Sequence, residues 1–175
     1  GFESVFKPRK SERVPQFQNN IIDLLPDEPD YILMALDLKR ANTPDVYKMN
    51  LTNNRKRERI YKGKSHINNW MTDQQHKLRL GFGRDETKIF YRLFDIKKDE
   101  RRNIWEYEIF DAPDLSPLGF GLNPDELYIR ANYEGRYAIF KVDVSKADLP
   151  RTLIFHDPDY DVEGSLIYSQ KTNDV

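Results

Sequence analysis

The sequence predicts an all-β fold: a partial β-propeller of about three four-stranded antiparallel blades plus the start of a fourth. Short apolar strands recur with similar flanks at residues 31, 77 and 126. That interval, about 40–50 residues, is the length of a propeller blade. Tyr, Phe, Ile, Val and Leu fill the segments, while Asp, Asn, Pro and Gly gather between them, as strands and turns require. No stretch carries a strong amphipathic helical pattern.

The elements follow in order. After an N-terminal segment, 1–20, an inner strand is expected at Ile21 to Leu25. Anchor strand Tyr31 to Leu36, third strand Asp45 to Leu51 and outer strand Arg57 to Tyr61 complete a blade at about 21–66. The second blade, about 67–114, repeats this with Asn69 to Thr72, Lys77 to Phe82, Lys88 to Phe94 and Trp105 to Phe110. The third, about 115–162, has Leu118 to Phe120, Glu126 to Ala131, Tyr137 to Val144 and Arg151 to Phe155. The loop from Val144 to Asp148 has room for one helical turn before Pro150 stops it. At 163–175 a new inner strand opens at Leu166 to Tyr168 and runs into a turn at 170–174. A hairpin needs a second strand to pair its backbone groups, so the blades are expected to continue past Val175.

Composition narrows the function. Charged residues make up 33% of the 175 residues, yet the net charge is -1, which gives no electrostatic case for nucleic acid or an acidic membrane. No apolar stretch is long enough to span a bilayer as a helix, and no signal-peptide pattern opens the sequence. With no cysteine there are no disulfides or thiolate metal sites.

The familiar motifs are incomplete. Gly63-Lys64-Ser65 ends like a phosphate loop, but Glu58 stands where its first glycine belongs, so a turn is expected. Gly81-Phe82-Gly83 starts a dinucleotide fingerprint and meets Glu86 in place of the last glycine. Asp157, Asp159 and Asp161 alternate as in a calcium loop, yet Val162 and Tyr168 occupy the glycine and glutamate positions, so these carboxylates should cap turn N–H groups. His66, His76 and His156 lack metal-ligand spacing. Ser165 follows Gly164 without the outer glycines of a nucleophile elbow. Asn50-Leu51-Thr52 fits a glycosylation sequon. The basic run Arg55 to Arg59 reads as a charged, exposed outer strand, and the charges from Lys97 to Arg102 and at Glu134-Gly135-Arg136 as solvated hairpin tips. No catalytic, cofactor-binding or metal-binding residue is assigned.

Particular words within the blades carry a resemblance. Asp23-Leu24-Leu25-Pro26 with Pro29-Asp30-Tyr31-Ile32-Leu33, Asp45-Val46-Tyr47-Lys48-Met49-Asn50, Lys77-Leu78-Arg79-Leu80-Gly81-Phe82-Gly83, and Pro117-Leu118-Gly119-Phe120 are among them, as is His156-Asp157-Pro158-Asp159-Tyr160-Asp161-Val162. From about Ile21 onward the chain resembles the non-catalytic propeller of prolyl oligopeptidase-type serine peptidases, bacterial dipeptidyl and acylaminoacyl peptidases in particular. The resemblance implies a parent peptidase whose α/β-hydrolase domain carries the catalytic triad outside this sequence. It also implies peptide substrates selected by the propeller, and a bacterial cytoplasmic or periplasmic setting. The sequence itself does not choose a compartment. The alternative is a non-enzymatic binding or scaffolding propeller like that of the Tol system.

Partners follow from both lines of reasoning: a hydrolase domain of the same parent, its peptide substrates, and further copies of the chain. Face-to-face blades draw stability from their neighbours, so three blades and a fragment should leave two terminal faces bare. Covering a patch of roughly 400 Å² is worth about 10 kcal/mol before association costs, so self-association is expected. An end face capped by the N-terminal segment would remove that drive.

Overall fold

The computed structural model describes residues 10–12, 14, 20–53, 56–64, 66–95, 100–111, 114–169, 171–172 and 174–175. The described residues form twelve strands and no helix. Strands β1 (Ile21–Asp23), β2 (Tyr31–Leu36), β3 (Asp45–Asn50) and β4 (Arg57–Tyr61) make one antiparallel sheet in chain order. A second contains β5 (Asn69–Thr72), β6 (Leu78–Arg84), β7 (Lys88–Asp95) and β8 (Glu100–Glu108). The third contains β9 (Leu115–Phe120), β10 (Glu126–Tyr133), β11 (Arg136–Asp143) and β12 (Arg151–Phe155). The first strands of successive sheets touch, β1 with β5 and β5 with β9, as inner strands of neighbouring blades do.

Local chemistry sets the boundaries. Glu134 and Gly135 both take positive φ, at 52° and 87°, which is the two-residue turn that matches the twist of a tight hairpin. Tyr133 and Arg136 therefore face each other directly across β10 and β11. The outer strand of the second blade runs from Glu100 to Glu108, not from Trp105 to Phe110. It pairs with β7 along its whole length, while Phe110 lies in the following turn, fully exposed. The loop after β11 contains turns without a helix: Asp143 caps it by accepting from the Ser145 N–H at 2.9 Å and hydroxyl at 2.6 Å.

Two apolar junctions hold the blades together. Ala35, Val46 and Tyr61 of the first blade meet Ile67, Trp70 and Phe94 at the second, with Tyr61 edge-on to both Trp70 and Phe94. Leu80, Leu93 and Ile104 then pack on Phe120, Leu127, Ile129, Phe140 and Val142 of the third blade. Full burial of one such side chain contributes about 1.5–3 kcal/mol. At this second junction the buried Arg79 guanidinium donates to the carbonyls of Phe94 and Pro124, each at 2.8 Å, and to Asp125 at 3.1 Å. Those bonds, with the Asp73 carboxylate 3.9 Å from Nε, offset part of the cost of burying that charge.

The two end faces differ. On the far side of the first blade, Ile32, Met34, Leu36, Leu38, Tyr47 and Met49 form a third buried cluster. Arg57 stands opposite Met49 on that face, nearly inaccessible, and pairs with Glu12 of the N-terminal segment. Among the described residues, the far face of the first blade is therefore buried, whereas that of the third blade is half-buried. At 163–169 no strand ladder forms; the segment lies against β9. Gly119 makes room there, since a Cβ at that position would sit 2.2 Å from the Tyr168 hydroxyl oxygen. The expected turn closes with the Ser169 N–H donating to the Asp174 carbonyl at 2.8 Å.

Candidate functional site

Antiparallel pairing brings the β2–β3 loop, the β4–β5 connection and the starts of β1 and β5 to one end of the first two blades. A cavity of about 580 Å³ opens there, with Asn20, Asp37, Asn42, Asn68 and Asn69 in its wall. Asp37 follows β2 directly and is nearly buried. Asn42 adopts a left-handed φ of 55°, which asparagine tolerates better than most residues, and its N–H reaches Asp37 at 3.4 Å. Among the described residues, the wall thus combines side-chain amides, each both donor and acceptor, with one carboxylate.

Buried Asp45 holds this end in shape. It accepts from the Gly63 N–H at 2.8 Å and the Tyr47 hydroxyl at 3.2 Å, and Arg40 and Arg59 approach it at 3.4 and 3.5 Å. Arg40 also donates to the Gly63 carbonyl at 2.7 Å, tying the β4–β5 connection to the β2–β3 loop. A Cβ on Gly63 would lie 1.9 Å from the Pro44 carbonyl oxygen, so the glycine permits backbone contact. Gly83 does the same against the His66 carbonyl at 2.1 Å. Both glycine motifs are packing devices here. Ser65 lies outside the described residues.

The histidines are spread over the molecule. His66 approaches Asp85 at 3.1 Å and packs beside Phe90. His156 lies beside the Tyr133 ring. At the opposite end of the blades His76 Nδ1 stands 3.0 Å from both carboxylate oxygens of Asp23, which also accepts from the Thr72 hydroxyl at 2.5 Å. The carboxylate sits between hydroxyl and imidazole, whereas a nucleophilic triad places the imidazole between them. Asp23 and His76 instead latch β1 to the loop after β5. Linear spacing gave no sign of this pair; only the blade repeat brings the two positions together.

The remaining sequence-predicted features have structural places. Asp157 accepts from the N–H groups of Asp159 and Tyr160, and Asp161 from the Tyr137 N–H at 2.7 Å, so these carboxylates build a corner. Among the described residues no cluster of three or more His, Cys, Asp or Glu is placed to hold a metal. Asn50 of the sequon is buried and caps its own turn, accepting from Asn53 N–H at 2.6 Å. In the basic run Glu58, Arg59 and Ile60 are exposed, but the Arg57 side chain is buried against Glu12. Arg101 and Arg102 are not tip residues: Arg101 lies over the Tyr61 ring at 4.9 Å, and Arg102 donates to the carbonyls of Val144 and Lys146. They brace the second blade against both neighbours. The tip itself, 96–99, and Arg55 lie outside the described residues. Arg136 of the third-blade hairpin donates to the Pro158 carbonyl at 3.1 Å.

In comparisons with known proteins, no family model, curated protein or solved structure matches the chain.

Proposed function

We propose that this chain is a non-catalytic, peptide-selecting stretch of β-propeller from a prolyl oligopeptidase-type serine peptidase, with the nucleophile in a hydrolase domain outside this sequence. The observation that carries the reading is the amide-lined cavity where the first two blades meet. A peptide group offers one donor and one acceptor, and a wall of asparagines answers both without demanding charge. The strand words quoted above, borne on three four-stranded antiparallel sheets, support this family reading. In such an enzyme the blades admit short peptides and the hydrolase domain cleaves them.

The protein encoded by the complete reading frame tests this. It should hydrolyse short peptide p-nitroanilides and take up a fluorophosphonate on a serine outside residues 1–175. Asn42→Ala with Asn69→Ala should raise KM and leave the labelling rate unchanged. A full-length protein with no fluorophosphonate-reactive serine would retire the peptidase reading and leave the binding propeller.

A further inference from the structure

Positive charge is not spread evenly over the chain. Residues 37–64 hold nine of its 28 Lys and Arg and three of its 29 Asp and Glu, although the net charge of the whole is -1. The fold gathers four of those cations at one place. Arg40 donates to the Gly63 carbonyl at 2.7 Å, so its guanidinium lies against the backbone between Lys62 and Lys64. Arg40 and Arg59 approach the same carboxylate, that of Asp45, at 3.4 and 3.5 Å. One buried carboxylate thus stands against four cations. Arg40 keeps 46% of its side chain exposed and Arg59 39%, which leaves both within reach of a ligand. Lys62 and Lys64 are exposed, and their ammonium groups meet no carboxylate among the described residues. The exposed Glu58 of β4 stands opposite Lys48 instead.

This cluster borders the amide-lined cavity. Pro44 belongs to the cavity wall, and its carbonyl oxygen is the atom that a Cβ on Gly63 would meet. Place and chemistry sort the anions that fit. At an exposed rim a cation takes a carboxylate without the cost of desolvating both groups. The cavity wall supplies amides and the Asp37 carboxylate and, among the described residues, no cation, so an acidic group belongs at the rim and uncharged amides inside. The same described lining contains no aromatic ring on which a nucleic-acid base would stack.

We propose that this basic rim selects acidic peptides, whose main chain enters the amide-lined cavity while their Asp or Glu side chains pair with Arg40, Arg59, Lys62 and Lys64. The proposal rests on the peptide reading of that cavity and names its substrate class; it needs no hydrolase domain.

Fluorescence anisotropy against the folded chain tests it, with a labelled, blocked hexapeptide carrying three glutamates and its glutamine counterpart as probes. The glutamate peptide should bind about tenfold more tightly. That advantage should vanish between about 50 and 500 mM salt. Lys62→Gln with Lys64→Gln should weaken the glutamate peptide about tenfold and leave the glutamine peptide within about twofold. Lys146→Gln with Lys171→Gln removes equal charge elsewhere and should change neither by more than about twofold. Asn42→Ala with Asn69→Ala should weaken both peptides alike. Equal affinity for the two peptides, or equal loss from the two lysine pairs, would overturn the rim. Tighter binding of an equally charged thymidine oligonucleotide, lost with Lys62 and Lys64, would overturn the peptide as occupant in favour of nucleic acid. Asparagine variants that change neither peptide's binding would overturn the peptide reading of the cavity, a failure told apart from that of the rim because the lysine variants would still discriminate.

Discussion

The far face of the first blade and the far face of the third are built from the same four-stranded unit and end in opposite conditions. On the first, Leu36 and Met49 are 0% exposed and Met34 is 2%. On the third, Tyr128, Arg130, Ile139 and Lys141 are half-buried, and Phe155 is 55% exposed. The strands record the difference. Tyr31-Ile32-Leu33-Met34-Ala35-Leu36 is an unbroken apolar run, as a strand covered on both faces should be. Glu126-Leu127-Tyr128-Ile129-Arg130-Ala131 alternates, with Leu127, Ile129 and Ala131 toward the second blade and polar or amphipathic side chains away from it. The Lys141–Glu126 pair at 2.9 Å and the Arg130 guanidinium over the Tyr137 ring furnish that open face with charge.

Truncations should separate the faces most strongly. Leu36→Ala is expected to cost about 2–5 kcal/mol, and Ile139→Ala under about 1 kcal/mol. Urea unfolding of both variants measures the gap, and equal losses would break the comparison.

Breaking one ion pair on each face sharpens it. Glu12→Ala removes a carboxylate partner of the buried Arg57 side chain and should cost about 1–3 kcal/mol. Glu126→Ala removes a partly exposed partner of Lys141 and should cost under about 1 kcal/mol. Thermal melts at low and high salt would show the second effect screened and the first persisting.

Glycine positions give a smaller contrast. Gly83→Ala drives a Cβ into the His66 backbone and should cost about 1–3 kcal/mol. Gly121→Ala meets only side-chain atoms of Tyr128 and Glu126, at 3.3 Å or more, and should cost less. Chemical denaturation of the two variants ranks them.

Alkali addresses the junction that supports the open blade. Burial raises the pKa values of Tyr91 and Tyr107 above the ordinary phenol value. Their contribution is fully present below the unfolded-state pKa, near 10, and is lost as pH rises through the higher folded values. Tyrosinate absorbance should therefore lag behind free tyrosine above about pH 10, and Tyr107→Phe should remove part of the lag.

Strand order, strand type and blade length were legible because period-two alternation and turn residues are local signals. Arg57–Tyr61 and Arg151–Phe155 stand at the bounds expected for them. The start of β8 was hidden because Arg101, Arg102 and Asn103 look like loop residues until their pairing with β7 is known. Tertiary ties were least legible. The Asp23–His76 latch, the Arg57–Glu12 pair and the Arg102 brace join residues more than forty positions apart, and linear spacing carries no trace of them. The amide-lined cavity was missed for the same reason: Asn20, Asn42 and Asn69 are unremarkable singly and converge only when inner strands sit side by side.

Hydroxyl-radical footprinting, read by mass spectrometry, tests the unequal end faces most directly, because thioethers oxidise readily wherever solvent reaches them. The account predicts that Met34 and Met49 stay protected relative to the urea-unfolded chain, while Tyr160, Phe155 and Ile167 are modified at near-unfolded rates. Oxidation of Met34 and Met49 at unfolded rates in the native chain would contradict it, and would mean that the first blade ends in a bare face.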